Sequence, residues 1–182
     1  PLPRQRNRRS LYAEKMRGLR DPFLETFNQP GPDQSCELRE TSMVAPQALT
    51  LFNGEEVYER ALAFAARLLE ETGSDRAALG RAFELALGRT ASVGEIADCL
   101  VHWKAAVEEE KGRVYEPLAF PEKIKRTVMA EKTGRPYEFW EHLPAYEEYV
   151  PDLQRSDVDA RTRGLAQVCL VIFNLNEFAY LD

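Results

Sequence analysis

A chain of 182 residues with 24 Lys and Arg against 30 Asp and Glu has a formal charge of −6, and 44% of it is hydrophobic, an ordinary globular composition. A chain of this length hides roughly 70% of its unfolded surface on folding, which supports one substantial core. The longest apolar run, Val168–Phe173, is too short to span a bilayer, and the net acidity argues against a nucleic-acid partner.

The first twenty residues are basic: Arg4, Arg6, Arg8, Arg9, Lys15, Arg17 and Arg20 are opposed only by Glu14. The expected role is a clasp onto the acidic remainder of the chain. Residues 21–42 hold Pro22, Pro30, Gly31 and Pro32 among Phe23, Leu24 and Phe27. This composition predicts an irregular arm that packs, because its aromatic groups need cover.

Helices follow. Pro46 suits a first helical turn, with Ala48, Leu49, Leu51 and Phe52 after it. Asn53, with Glu56 three residues on, is expected to cap a second helix carrying the stripe Val57, Ala61, Phe64, Ala65 and Leu68. Gly73 is expected to stop that helix and Ser74 to restart the chain. Leu79, Ala82, Phe83, Ala86 and Leu87 then form the next stripe, closed by Gly88 in a left-handed conformation. Ser92 and Glu95 have the spacing of a capping box, opening a third long helix through Ile96, Leu100, Trp103 and Val107 to about Lys111. Glu108, Glu109 and Glu110 read as its solvated end. His102 reads as a partly buried helical residue rather than a ligand.

From Arg113 to Ala160 the prolines 117, 121, 136, 144 and 151 interrupt the pattern, and Pro121–Lys132 reads as helical through Ile124, Val128 and Met129. Asp157 or Asp159 then caps a last helix whose Leu165, Val168, Cys169, Ile172 and Phe173 predict burial on several sides. Asn174, Asn176 and Glu177 are expected to fasten its end. The fold class is therefore mainly α: an irregular N-terminal arm packed on about five helices, with a long Pro- and aromatic-rich excursion before the last helix. We read one domain, with arm 1–42, helical body 43–112, excursion 113–160 and buried C-terminal helix 161–182, as a fragment of a longer protein.

Two groups of residues carry candidate chemistry. In the arm, Arg8, Arg9, Glu25, Asn28, Cys36 and Arg39 concentrate polar groups. A thiol beside guanidinium groups is a usable nucleophile if a base such as His102 or His142 approaches it. The plainer reading has the arginines pairing with Glu25, Glu37 and Glu40 to anchor the arm, and no catalytic residue follows from it. In the excursion, Tyr137, Trp140, Tyr146 and Tyr149 stand among Glu138, Glu141, Glu147 and Glu148. Aromatic platforms beside acids bind sugar rings, and carboxylates roughly 5 to 9 Å apart hydrolyse glycosidic bonds; the plainer reading is a stapled loop. Cys36, Cys99 and Cys169 lack the C-x-x-C spacing of a zinc or haem site. No metal or cofactor is called for, and a Cys36–Cys169 bridge stays open. Phosphate-loop, dinucleotide, serine-hydrolase and zincin motifs do not occur.

Several of these segments stand in a familiar order. Arg8-Arg9-Ser10-Leu11-Tyr12, Pro22-Phe23-Leu24-Glu25, Phe27-Asn28 with Pro30, Ser35-Cys36 and Arg39 lead to Val44-Ala45-Pro46-Gln47-Ala48-Leu49 and Leu51-Phe52-Asn53. Ala86-Leu87-Gly88-Arg89 follows, and the chain closes with Asn174, Asn176-Glu177-Phe178, Tyr180 and Asp182. Together they resemble the planctomycete-type domain-of-unknown-function family 1553. Leu170 and Leu175 depart from the polar residues expected there. The resemblance implies a C-terminal module of a large exported protein, with an upstream cytochrome-c-like domain whose C-x-x-C-H motif is missing from this stretch. The expected function is a non-catalytic structural or docking module in the periplasm or cell envelope. Its partners would be other domains of the parent chain or envelope proteins, the alternative being a polysaccharide-binding or hydrolytic module.

Overall fold

The computed structural model describes residues 7–12, 20–31, 36–37 and 45–179. The chain divides into two compact units. The described part of the larger unit comprises residues 20–31, 36–37, 45–116 and 153–179, and that of the smaller unit residues 7–12 and 117–152. Among the described residues the fold is mainly α-helical, with one small two-stranded sheet.

In the larger unit a short helix α1 (Pro22–Thr26) begins at Asp21, whose carboxylate accepts the Leu24 N–H at 3.0 Å. Asn28 follows with a φ of 56°, a left-handed position that Asn tolerates. Phe23 packs against the core, and the Gln47 side chain donates to the Thr26 carbonyl at 3.1 Å. This stretch of the arm packs as expected; Arg39 and residues 38–44 lie outside the described residues.

Helix α2 (Ala45–Asn53) passes into α3 (Glu55–Glu71) through a single residue, Gly54. Here one expectation is corrected: Asn53 ends α2, and Gly54 is the N-cap, with no side-chain cap bond. A Cβ on Gly54 would sit 2.4 Å from the Thr50 carbonyl oxygen, so the abrupt junction requires glycine. Helix α3 ends at Thr72, one residue before Gly73, and Ser74 caps α4 (Asp75–Leu87). Gly88 closes α4 with a φ of 70°, as predicted. The predicted capping box opens α5 (Val93–Glu110): Ser92 Oγ accepts the Glu95 N–H at 3.2 Å, and Glu95 accepts the Ser92 N–H at 2.7 Å.

The last long helix, α6 (Ala160–Phe173), is capped by Asp159 and buried along most of its length. It packs against both α3 and α5. Leu62, Leu68, Leu79, Leu165, Val168 and Ile172 are the large, fully enclosed aliphatic side chains of the resulting core. Gly164 sits where α6 crosses α5, and a Cβ there would meet Val107 Cγ2 at 2.6 Å. The Trp103 indole N–H donates to the Arg161 carbonyl at 2.9 Å across the same crossing. A short helix α7 (Asn176–Ala179) follows. Two further expectations fail on α5. His102 is exposed, lying off the stripe of Ile96, Trp103 and Ala106, and Glu110 is buried rather than solvated.

In the smaller unit the expected helix over Pro121–Lys132 is instead a strand. Strand β1 (Lys123–Met129) pairs antiparallel with β2 (Pro136–His142), from Lys123 opposite His142 to Met129 opposite Pro136. Ile124 and Val128 are four apart, a spacing that fits both periodicities, and the β-branched Ile124, Thr127 and Val128 favour the strand. Gly134, with a φ of 62°, turns the connecting loop. Phe120, Tyr146 and Tyr149 pack together edge-on or tilted with ring centroids 4.8–5.8 Å apart, and the Asn7 side chain donates to Asp152 at 3.2 Å.

Candidate functional site

The arm candidates divide between the two units. Arg8 and Arg9 are exposed in the smaller one, beside the turn Ser10–Tyr12. Glu25, Asn28 and Cys36 belong to the larger one, where Glu25 pairs with Arg20 at 3.1 Å and Cys36 is exposed. All three cysteines are free of disulfides, which closes the Cys36–Cys169 question: Cys169 is fully buried in α6. His142 ends β2 and pairs with Glu147 at 2.9 Å.

The aromatic candidates do not share one platform. Side chains alternate along a strand, so Tyr137 and Trp140, three residues apart on β2, emerge on opposite faces. Tyr146 packs edge-on and Tyr149 tilted against Phe120. The face with Trp140 also carries Lys123, Lys125, Thr127, Met129, Pro136, Glu138 and His142, all exposed. Trp140 itself is 67% exposed.

A denser polar cluster, unpredicted from sequence, lies in the helical unit where α5 ends. Gly112, with a φ of 80°, turns the chain so that Arg113 and Tyr115 return to Glu110. Arg113 donates to Glu110 at 3.2 Å, and the Tyr115 hydroxyl donates to the same carboxylate at 2.9 Å. Arg163, one turn into α6, donates its Nε–H to Glu110 at 2.9 Å. Its Nη1 donates to the carbonyls of Arg155 and Val158, pinning the segment ahead of α6. Arg155 extends its guanidinium over the Tyr58 ring, 3.8 Å from the centroid, a cation–π contact. Tyr58, on the first turn of α3, is 6% exposed, and its hydroxyl finds no hydrogen-bond partner among the described residues. Burial first of all pushes its phenol above the usual value, with Arg155 pulling the other way. At neutral pH the group is therefore a protonated donor.

The only signal for this cluster in the sequence was the run Glu110, Arg113, Tyr115 after a helix end. Its partners Tyr58, Arg155 and Arg163 are distant in the chain. A second polar knot joins the start of α5 to α7: Arg89 donates to Glu95 at 2.6 Å and to Glu177 at 2.6 Å. Arg89 and Ser92 hold the Glu95 carboxyl down at about 2. The Asn174 side chain donates to the carbonyls of Leu51 and Leu170, fastening the end of α6 as expected.

Among the described residues, no group of three His, Cys, Asp or Glu side chains is arranged to hold a metal ion. No described helix is long and apolar enough to cross a membrane. No curated protein and no solved structure matches the chain. A family model, PSD1, described as a protein of unknown function (DUF1553), matches residues 3–103. That stretch holds the Arg8–Tyr12, Pro22–Glu25, Gln47–Asn53 and Gly88-Arg89 segments, and with them the junction at Gly54 and the arginine that binds Glu95 and Glu177. The chain belongs to this family, DUF1553.

Proposed function

We propose that the chain is a non-catalytic docking module of an exported, cell-envelope protein, and that the β1–β2 hairpin is the surface through which it meets another domain of the parent chain or an envelope protein. One observation carries the reading: an entire strand face of the hairpin is exposed and presents Trp140, at 67%, with Met129, at 63%. Large apolar side chains in water favour burial against a partner, and Trp is enriched among the residues that anchor interfaces. Lys125, Glu138 and His142 around them supply a polar rim.

The test uses the full-length parent protein expressed in its own host, fractionated and cross-linked. Retention in the envelope fraction that falls in a Trp140→Ala, Met129→Ala variant with an unchanged circular dichroism spectrum supports docking. Unchanged retention overturns the hairpin assignment, and recovery of the parent in the cytoplasm overturns the location. Titration with polysaccharides addresses the glycan alternative. Trp103 is 3% exposed, so a saturable change in tryptophan emission would report on Trp140 and replace the protein partner with a sugar.

A further inference from the structure

The cluster around Glu110 is unbalanced. Three guanidiniums, Arg113, Arg155 and Arg163, surround Tyr115, and among the described residues the one carboxylate hydrogen-bonded to any of them is Glu110. Glu109 also lies close enough to act on Arg113, while the two aspartates nearby are engaged elsewhere. Asp157 accepts the Gln154 N–H at 2.9 Å, and Asp159 accepts both the N–H and the hydroxyl of Thr162. Arg155 is exposed and has no carboxylate partner among the described residues; its guanidinium rests on the Tyr58 ring. Beneath it the Tyr58 hydroxyl is buried and unsatisfied. A buried donor without an acceptor is unfavourable, and an unpaired guanidinium beside it offers a planar fork that matches an oxyanion.

The geometry points to an oxyanion site in the helical unit, in which Arg155 grips a carboxylate or phosphate group that also accepts the Tyr58 hydroxyl. Arg155 acts as the movable jaw. It can slide off the Tyr58 ring without breaking an ion pair, whereas Arg163 is fixed by Glu110 and by two carbonyls. Arg113, half exposed at 55%, binds the same Glu110 carboxylate and also contacts the Tyr115 side chain. Glu110 neutralises Arg163 and so prevents the buried charge from repelling its neighbours. The site is independent of the hairpin docking proposed above and can stand if that reading fails.

The experiment measures thermal unfolding of the 182-residue chain in inorganic phosphate and, separately, in succinate, with ionic strength matched by chloride. A saturable rise of the midpoint in either anion supports the site. Response to phosphate alone assigns a phosphoryl group, and response to succinate alone a carboxylate. Arg155→Gln, at an exposed position, is expected to weaken the apparent affinity at least about tenfold. Tyr58→Phe keeps the packed ring; it should weaken affinity about fivefold and raise the midpoint of the unliganded protein by removing the unsatisfied hydroxyl. Arg81→Gln, a surface change on α4, should leave affinity unchanged. No saturable response to either anion, as when water alone satisfies Tyr58, overturns the proposal. So does a response that survives both Arg155→Gln and Tyr58→Phe.

Discussion

Arg163 and Glu110, 53 residues apart in the chain, meet at 2.9 Å with 10% and 4% of their side chains exposed and join two helices. A pair this enclosed is costly to break from one side, because the survivor is a buried charge without a counterion. Glu110→Ala should therefore destabilise the protein by about 3–5 kcal/mol, read as a shift in the urea midpoint. Glu110→Leu combined with Arg163→Met should recover most of that loss. A double variant no more stable than the single ones would show that the pair's bonds to the carbonyls matter more than its charge.

Gly164 and Gly80 predict opposite signs. A Cβ on Gly164 would meet Val107 Cγ2 at 2.6 Å and the Val107 backbone nitrogen at 3.0 Å, whereas a Cβ on Gly80, within α4, meets nothing within 4 Å. Gly164→Ala should cost about 1–3 kcal/mol by forcing α5 and α6 apart. Gly80→Ala should stabilise by about 0.5–1 kcal/mol, because alanine is the better helix former. Val107→Ala should return only part of the Gly164→Ala loss, since the backbone contact stays.

The Arg89 knot predicts an acid-sensitive tether. Glu95 is held at about 2 against an ordinary 4.5, and Glu177 is also lowered by Arg89. A depressed carboxylate contributes stability that is fully present above its unfolded value and is lost as pH falls toward the folded one. The difference in midpoint between the native protein and Glu95→Gln should thus be largest above pH 5 and shrink between pH 4.5 and 2. A difference that does not change with pH would show that Glu95 acts through its cap on Ser92 alone.

Thiol chemistry should separate the three cysteines. Cys36 is exposed, Cys99 is half buried, and Cys169 is enclosed, with burial pushing its thiol far up. A thiol reagent at neutral pH should label Cys36 first, then Cys99, and reach Cys169 only after denaturation. Peptide mapping of the labelled protein checks the order, and early modification at Cys169 would mean that α6 opens readily.

Features encoded within a few residues were legible in the sequence. The Ser92–Glu95 box, the left-handed Gly88, the Asp159 cap and the enclosed last helix all follow from local spacing and composition. Ambiguous spacing misled: Ile124 and Val128 fit a helix face as well as a strand face, and strand pairing with residues 136–142 decided the outcome. Asn53 looked like a cap because its chemistry suits one, yet the tight passage from α2 to α3 left room only for Gly54. The polar cluster was illegible for a related reason. Glu110 reads as one of three solvated glutamates until Arg163, 53 residues later in the chain, reaches it, and Tyr58 gains its meaning only when Arg155 covers it.

Helix α6 is the hub of the core, yet it follows the entire hairpin unit in chain order. During synthesis α3 and α5 therefore emerge with their shared partner still untranslated, and their apolar stripes must wait for roughly fifty more residues to leave the ribosome, several seconds at ordinary elongation rates. The hairpin, built from near-neighbour contacts, can form in that interval, so it is expected to mature before the helices preceding it close on α6.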